Sequence, residues 1–199
     1  MKPGGKPMPG KERYMKCLCS IRAAVLAAYV LAGCATSPPM RYYTLDMQCA
    51  STAPHGVHIG IEHLRLAQPL ARREIMIQAS PTQLDYYALD QWAATLDELV
   101  AHKLEAEFGE CAEATRDLVL RGRILAFNQV DVPGGAQAHA KIAVALYEPG
   151  ARLHEPPLFE KTYEARGPAT EPTAPAVVEA LSRCLEEVAA AIVEDARGL

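Results

Sequence analysis

Apolar and polar positions change period several times along this 199-residue chain, and each change predicts an element. Residues 23–32, AAVLAAYVLA, form an unbroken apolar run, followed from residue 42 by the mixed pattern of a folded domain. Residues 42–47 are rich in aromatic and β-branched types and predict a first strand, with a Ser/Pro/Gly loop at 48–56. Residues 57–66 alternate, with Val57, Ile59 and Ile61 on one face and His58, Gly60 and Glu62 on the other, as a half-buried strand does. Pro69 interrupts the pattern. Residues 73–79 predict another strand with Ile75 and Ile77 inward, Pro81 a turn, and residues 83–87 a short strand. The period then lengthens. Trp92, Leu96, Leu99, Val100, Leu104 and Phe108 recur at three- and four-residue steps and predict a helix over 91–108. Asp90 would cap that helix, Gly109 would end it, and Asp97, Glu98, Lys103 and Glu105 would take its wet side. Residues 118–132 predict a long strand and residues 137–147 its hairpin partner across Gly134-Gly135, with Ala138, Ala140, Ile142, Val144 and Leu146 on one face. Residues 157–166 predict a further strand. After the joint GPATEPTAP, Thr173 opens a last helix with the stripe Val177, Leu181, Cys184, Leu185, Val188 and Ile192. Two amphipathic helices need an apolar sheet face to cover. The expected fold is an α/β chain of the α+β kind: one domain over 42–199, a mixed or largely antiparallel sheet, and two main helices packed on it.

The apolar run at 23–32 is too short to span a bilayer. Ten helical residues rise ~15 Å against a hydrocarbon thickness of ~30 Å. A polar, basic leader precedes it and the small-residue exit Leu31-Ala32-Gly33-Cys34 follows, which together are the parts of a secretory signal. The expectation is cleavage before Cys34, a signal peptide over 1–33, and a lipidated tether over 34–41, CATSPPMR, kept extended by Pro38 and Pro39. Residues 15–34 make a more compact signal by themselves, so Met15 is a candidate start.

Charge changes the picture at that boundary. The whole chain carries a formal −4, whereas residues 34–199 keep 14 Lys/Arg and 23 Asp/Glu, a formal −9. Nucleic-acid binding relies on neutralising phosphates, so no nucleic-acid partner is expected. Cys17 and Cys19 fall in the signal and Cys34 takes the lipid, leaving Cys49, Cys111 and Cys184, too far apart in sequence for a metal cluster. Cys184 reads as buried and inert, and Cys49 with Cys111 as a candidate disulfide.

Candidate chemistry is sparse. The six histidines are His55, His58, His63, His102, His139 and His154. On a regular strand His58 and His63 point to opposite faces and make no ready metal pair. The chain contains no HExxH, CxxC, P-loop or GxSxG pattern, so neither a catalytic set nor a cofactor is expected. Two features stand apart. Arg72-Arg73 precedes a strand, either as a solvated edge or as a basic contact. Tyr86, Tyr87 and Trp92 gather at a strand-to-helix junction, either as a core seam or as part of a partner or self-association surface.

Several of these residues carry a resemblance. LAGC at 31–34 looks like a bacterial lipobox. With YYTL at 42–45, PLARREIMIQ at 69–78 and LDYYALDQWAATL at 84–96, the chain resembles the auxiliary lipoproteins of ABC-type lipid transporters, PqiC-like components, over about residues 34–196. Tyr43 and Leu45, Arg72 or Arg73, and Trp92 fall where that family has an aromatic-x-Leu strand, an arginine-bearing strand and a tryptophan opening the first helix. The resemblance implies an acylated Cys34 (palmitate or a similar chain), and Ala35 rather than Asp implies sorting to the outer membrane, facing the periplasm. It further implies a non-enzymatic subunit that docks the MCE-domain component of the transporter; the alternative is a direct carrier or sensor of envelope lipid. Arg72, Arg73, Tyr86, Tyr87 and Trp92 are the candidate partner surface.

Overall fold

The computed structural model describes residues 38–48, 56–109, 116–152 and 154–199. The expected signal peptide, the expected lipobox Leu31-Ala32-Gly33, Cys34, Cys49 and Cys111 lie outside them. Residues Met40–Leu199 form one compact unit, separate from Met1–Pro39.

This unit is an α+β fold: an open, mixed sheet of seven strands with two helices on one face. The strands are β1 (Arg41–Tyr43), β2 (Val57–Leu66), β3 (Glu74–Ser80), β4 (Gln83–Trp92), β5 (Arg116–Val132), β6 (Gly135–Tyr147) and β7 (Phe159–Ala169). The helices are α1 (Leu96–Phe108) and α2 (Ala174–Arg197). The sheet order is β1-β4-β3-β5-β6-β7, with β2 also on β5. The 17-residue β5 organises the sheet. On one side it pairs antiparallel with β6 along its length. On the other it takes two parallel partners in series: β2 along residues 116–124, then β3 at Gln129 and Val130. Pro69 is the reason for the break. It has no N–H for a ladder, and the 3-10 turn at Gln68–Leu70 separates the two strands.

The β5–β6 hairpin turns at Pro133-Gly134, with Gly134 at φ 85°, the residue pair a type II turn requires. Alternation along β6 sends Ala136, Ala138, Ala140, Ile142, Val144 and Leu146 into the core. Against them α2 lays Val177, Leu181, Cys184, Leu185, Val188 and Ile192, all buried as its period predicts. The Cys184 thiol is free, and burial pushes its pKa up to about 11. At Gly122 a methyl group would meet the Ala143 carbonyl oxygen at 2.8 Å, so the β5–β6 approach excludes any side chain there.

Four expectations are corrected by tertiary contacts. The first helix starts at Leu96, because Thr95 and Glu98 form a capping box and the chain up to Trp92 is still strand. Trp92 therefore ends β4 instead of opening the helix, packing on Phe127 with ring centroids 5.9 Å apart. Asp90 is no cap but a buried carboxylate under β1. Lys103, expected on the wet side, is wholly buried. His58 and His63 share a face, since a bulge between Ile61 and His63 inserts Glu62 and reverses the alternation.

Candidate docking surface

The described chain enters the fold at the edge of the sheet. Residues 41–43 pair in parallel with Asp90–Trp92, the last three residues of β4. The Arg41 guanidinium pairs with Asp90, Nη2 donating to Oδ2 at 2.8 Å and Nε lying 2.6 Å from Oδ1, while Tyr43 Oη donates to Oδ1 at 2.8 Å. A charge-assisted bond from arginine, with a second from a tyrosine hydroxyl, compensates a carboxylate removed from water. The bond to Asp90 holds Arg41 above its ordinary pKa, and burial, with the same carboxylate, raises Tyr43. Beyond β1 the chain is clamped to both helices. Leu45 is buried, Asp46 N–H donates to Ser182 Oγ at 3.1 Å, and Lys103 Nζ donates to the Gln48 carbonyl at 2.7 Å. A groove of about 750 Å³ runs beside this segment, lined by residues 43–48 with Pro175, Val178, Glu179 and Ser182 of α2.

Among the described residues, no helix lies on the opposite sheet face. Cross-strand registers place Tyr86, Met76, Asn128, His139 and Arg166 in one row across β4, β3, β5, β6 and β7. Arg72 lies over the Tyr86 ring at 4.5 Å, and Tyr86 Oη donates to the Pro69 carbonyl at 3.0 Å. Of the residues singled out in the sequence, Arg72 and Tyr86 are thus brought together on the open face, with Leu84 exposed on the same strand face. Tyr87 points to the other face, where its hydroxyl donates to Gln129 Oε1 at 2.5 Å, and burial pushes its pKa up to about 12. Arg73 is exposed at the start of β3, and its carbonyl accepts from Trp92 N–H at 2.8 Å. Trp92, 1 % exposed, belongs to the core, so the five residues do not share one surface. Sequence reasoning passed over the Arg41–Asp90–Tyr43 clasp. Its only trace in the chain is an arginine directly after the Pro-Pro-Met tether.

The open face also carries Arg65, Arg121, Arg123 and Lys141, set against Glu62, Glu74, Asp117, Glu160 and Glu164. The net negative charge sits on the helices, in residues such as Asp97, Glu98, Glu105, Glu179, Glu187 and Glu194. Glu164 is the hub of the row, accepting from Lys141 at 2.7 Å, Arg166 at 3.1 Å and His139 Nε2 at 3.0 Å. The bonds from Lys141 and Arg166 hold its carboxyl at about 2. Burial lowers the pKa of His139, and the Arg166 charge lowers it further. The imidazole is therefore neutral at pH 7, its Nε2–H donates to Glu164, and Nδ1 and the neighbouring Asn128 Oδ1 are buried acceptors with no hydrogen-bond partner. The sign of the consequence is fixed. An unfolded histidine protonates near pH ~6.5 but His139 resists until a lower pH, so acidification favours the unfolded chain. Thermal melts should show stability falling as pH drops from about 7 to 5.5. His139→Gln should flatten that slope; an unchanged slope would assign it to other groups.

With this geometry in hand, comparison with known proteins is decisive on one point. Residues 43–193 match the model of the ABC-type transport auxiliary lipoprotein component family. The chain belongs to that family. The match begins at Tyr43 of the clasp and runs into the last turns of α2, so it spans the described domain of this auxiliary lipoprotein. Two solved structures share its fold. One is protein XCC0632 from Xanthomonas campestris, of family DUF330, at 14 % identity and a TM-score of 0.63, covering 77 % of this chain and 92 % of that one. The other is an uncharacterized protein at 15 % identity and a TM-score of 0.60, covering 80 % and 99 %. No curated protein matches the sequence. Among the described residues of the auxiliary lipoprotein, no helix is long and apolar enough to cross a membrane, and no group of three or more His, Cys, Asp or Glu is placed to hold a metal ion.

Proposed function

We propose that this auxiliary lipoprotein is a non-enzymatic subunit of an ABC-type lipid transporter, held on the outer membrane by acylated Cys34, where it docks the transporter's MCE-domain component. The observation that carries this is the family match over residues 43–193, joined to the clasp that fastens the chain seven residues after the lipobox cysteine. A lipid anchor, a short tether and a rigid domain supply position, which is what a docking subunit contributes. The open sheet face is the surface for the partner. It offers the stacked Arg72–Tyr86 pair, the rigid aromatic-plus-arginine chemistry typical of binding hot spots, beside exposed Leu84. Its interleaved cations and carboxylates set it apart from the acidic helices.

Recovery of the MCE-domain protein with the lipoprotein in mild detergent tests the docking role. Arg72→Glu combined with Tyr86→Ala should reduce that recovery at least tenfold, because truncating a hot-spot pair costs about 2 kcal/mol or more. Equal recovery would move the interface elsewhere. No recovery with the wild-type chain and an intact anchor would sink the docking role itself. A lipid retained in native mass spectra would favour the carrier reading, with the groove beside residues 43–48 as its seat.

A further inference from the structure

We infer that the edge strand next to the tether is a membrane-contact surface, with the side chains of Met40 and Tyr42 seated in the interfacial layer of the bilayer that holds the anchor. The inference rests on the acylation of Cys34 and is independent of which protein the open face receives. Apolar exposure is concentrated here. Of the large apolar residues left exposed among the described residues, Tyr42 at 61 % is the most exposed, and Met40 at 38 % and Met47 at 40 % lie within the same short segment. The exposure is built in. Arg41 and Tyr43 both turn to Asp90, so strand alternation forces Tyr42 to the other side, with Met40 two residues before it. Among the described strands β1 ends the sheet, and Tyr42, in register with Gln91, stands at the edge of the open face, which neither described helix covers.

Chain length supplies the occupant. Six peptide units separate Cys34 from Met40, and fully extended they reach at most about 20 Å. A compact domain of this size has a radius of gyration of about 15 Å, so the tether is shorter than the domain is wide. β1 is therefore the part of the domain that cannot leave the vicinity of the acyl chains. Chemistry agrees with the location. Tyrosine favours the headgroup level, where its ring is in an apolar layer and its hydroxyl remains hydrated, and methionine adapts to an irregular apolar surface. The contact is apolar, so it does not need the basic cluster that an acidic domain lacks. It would fix the tilt of the domain, with the β1 edge of the open sheet face toward the bilayer.

Depth-dependent quenching tests this on the full acylated protein in phosphatidylcholine vesicles whose acyl chains are brominated close to the glycerol. Trp92 is the chain's single tryptophan and is buried in the core, which gives a constant background. Tyr42→Trp adds an emitter at the edge strand. Leu158→Trp adds one at another exposed position, beside β7 at the opposite end of the sheet order. The expected result is that most of the emission added by Tyr42→Trp is quenched, at low and high salt alike, while that added by Leu158→Trp is not. An unquenched Tyr42→Trp protein whose intact mass shows acylated Cys34 overturns the inference and leaves the anchor standing, and it would mean that the edge faces water or a protein. Equal quenching at both positions also overturns it, since the domain would then have no preferred tilt. An unmodified Cys34 overturns the anchor and this inference together.

Discussion

Alanine in place of Cys34 is expected to release the domain from the membrane, folded, and to abolish the transport that depends on it. The size of the effect follows from the acyl chains. Each buried methylene contributes ~0.8 kcal/mol, so two or three chains hold the protein effectively permanently, and without the thiol none can be attached. Nothing else replaces them. Residues 34–199 carry a formal −9, which an anionic leaflet repels, and two side chains at the edge strand cannot retain a domain by themselves. The fold should be indifferent to the change, because Cys34 lies outside the compact unit Met40–Leu199. Fractionation should find the variant wholly soluble, with a circular dichroism spectrum and melting temperature matching the domain of the wild type. A soluble variant that supported full transport would show that position is not what this subunit contributes.

Lys103→Met is expected to cost about 3–5 kcal/mol, the penalty for breaking a buried ion pair by removing one partner. The ammonium is wholly buried between the two helices and the segment after β1. It contacts Glu107 Oε1 at 2.6 Å, Glu186 Oε1 at 3.0 Å and the Gln48 carbonyl at 2.7 Å. Burial alone would lower its pKa, but the bonds from Glu107 and Glu186 outweigh that, leaving the group above its ordinary value and charged. Methionine fills the stem and removes the charge, so two acidic side chains and a carbonyl lose the cation they share. Guanidinium unfolding should show the loss, and thermal unfolding a drop of roughly 10 °C or more. The double change Lys103→Met with Glu107→Leu should recover a large part of it, because it also removes the buried carboxylate of the site, while Glu186 is partly exposed to water. A single-variant loss under about 1 kcal/mol would mean that desolvating the lysine already cancels its bonds.

Those two residues mark the limits of what could be read from the chain. The LAGC exit and the charge step at Cys34 are local patterns, legible in the amino acids alone. The α2 stripe from Val177 to Ile192 and the alternation of β6 are local too, and the structure has both, with the hairpin turn expected at Gly134-Gly135 falling one residue earlier, at Pro133-Gly134. Lys103 is different. A lysine among Asp97, Glu98 and Glu105 reads as a solvated face, and only Glu186 arriving from the other helix, with Gln48 from the strap, makes a buried site for it. Trp92 fits a helical period with Leu96 and Leu99 as well as it fits a strand. The capping pair Thr95 and Glu98 and the pairing of Asp90–Trp92 with β1 decide between the two. The candidate surface divided for a related reason. Tyr86 and Tyr87 are neighbours in sequence, but a strand sends adjacent side chains to opposite faces, one to Arg72 and the other to Gln129.

The sequence by itself determined the acidic charge of residues 34–199 and the alternation of strands and helices, and carries the expectation of a signal and lipobox, because each depends on residues close together in the chain. The tertiary structure decided which strand each strand joins, with β5 serving β2 and β3 in series because Pro69 divides them. It also decided which polar groups are buried, as with Asp90 beneath Arg41 and Lys103 among its carboxylates. Partners separated by 49 and 83 residues leave no period or spacing in the chain, and only the packed sheet and helices bring them within hydrogen-bonding distance.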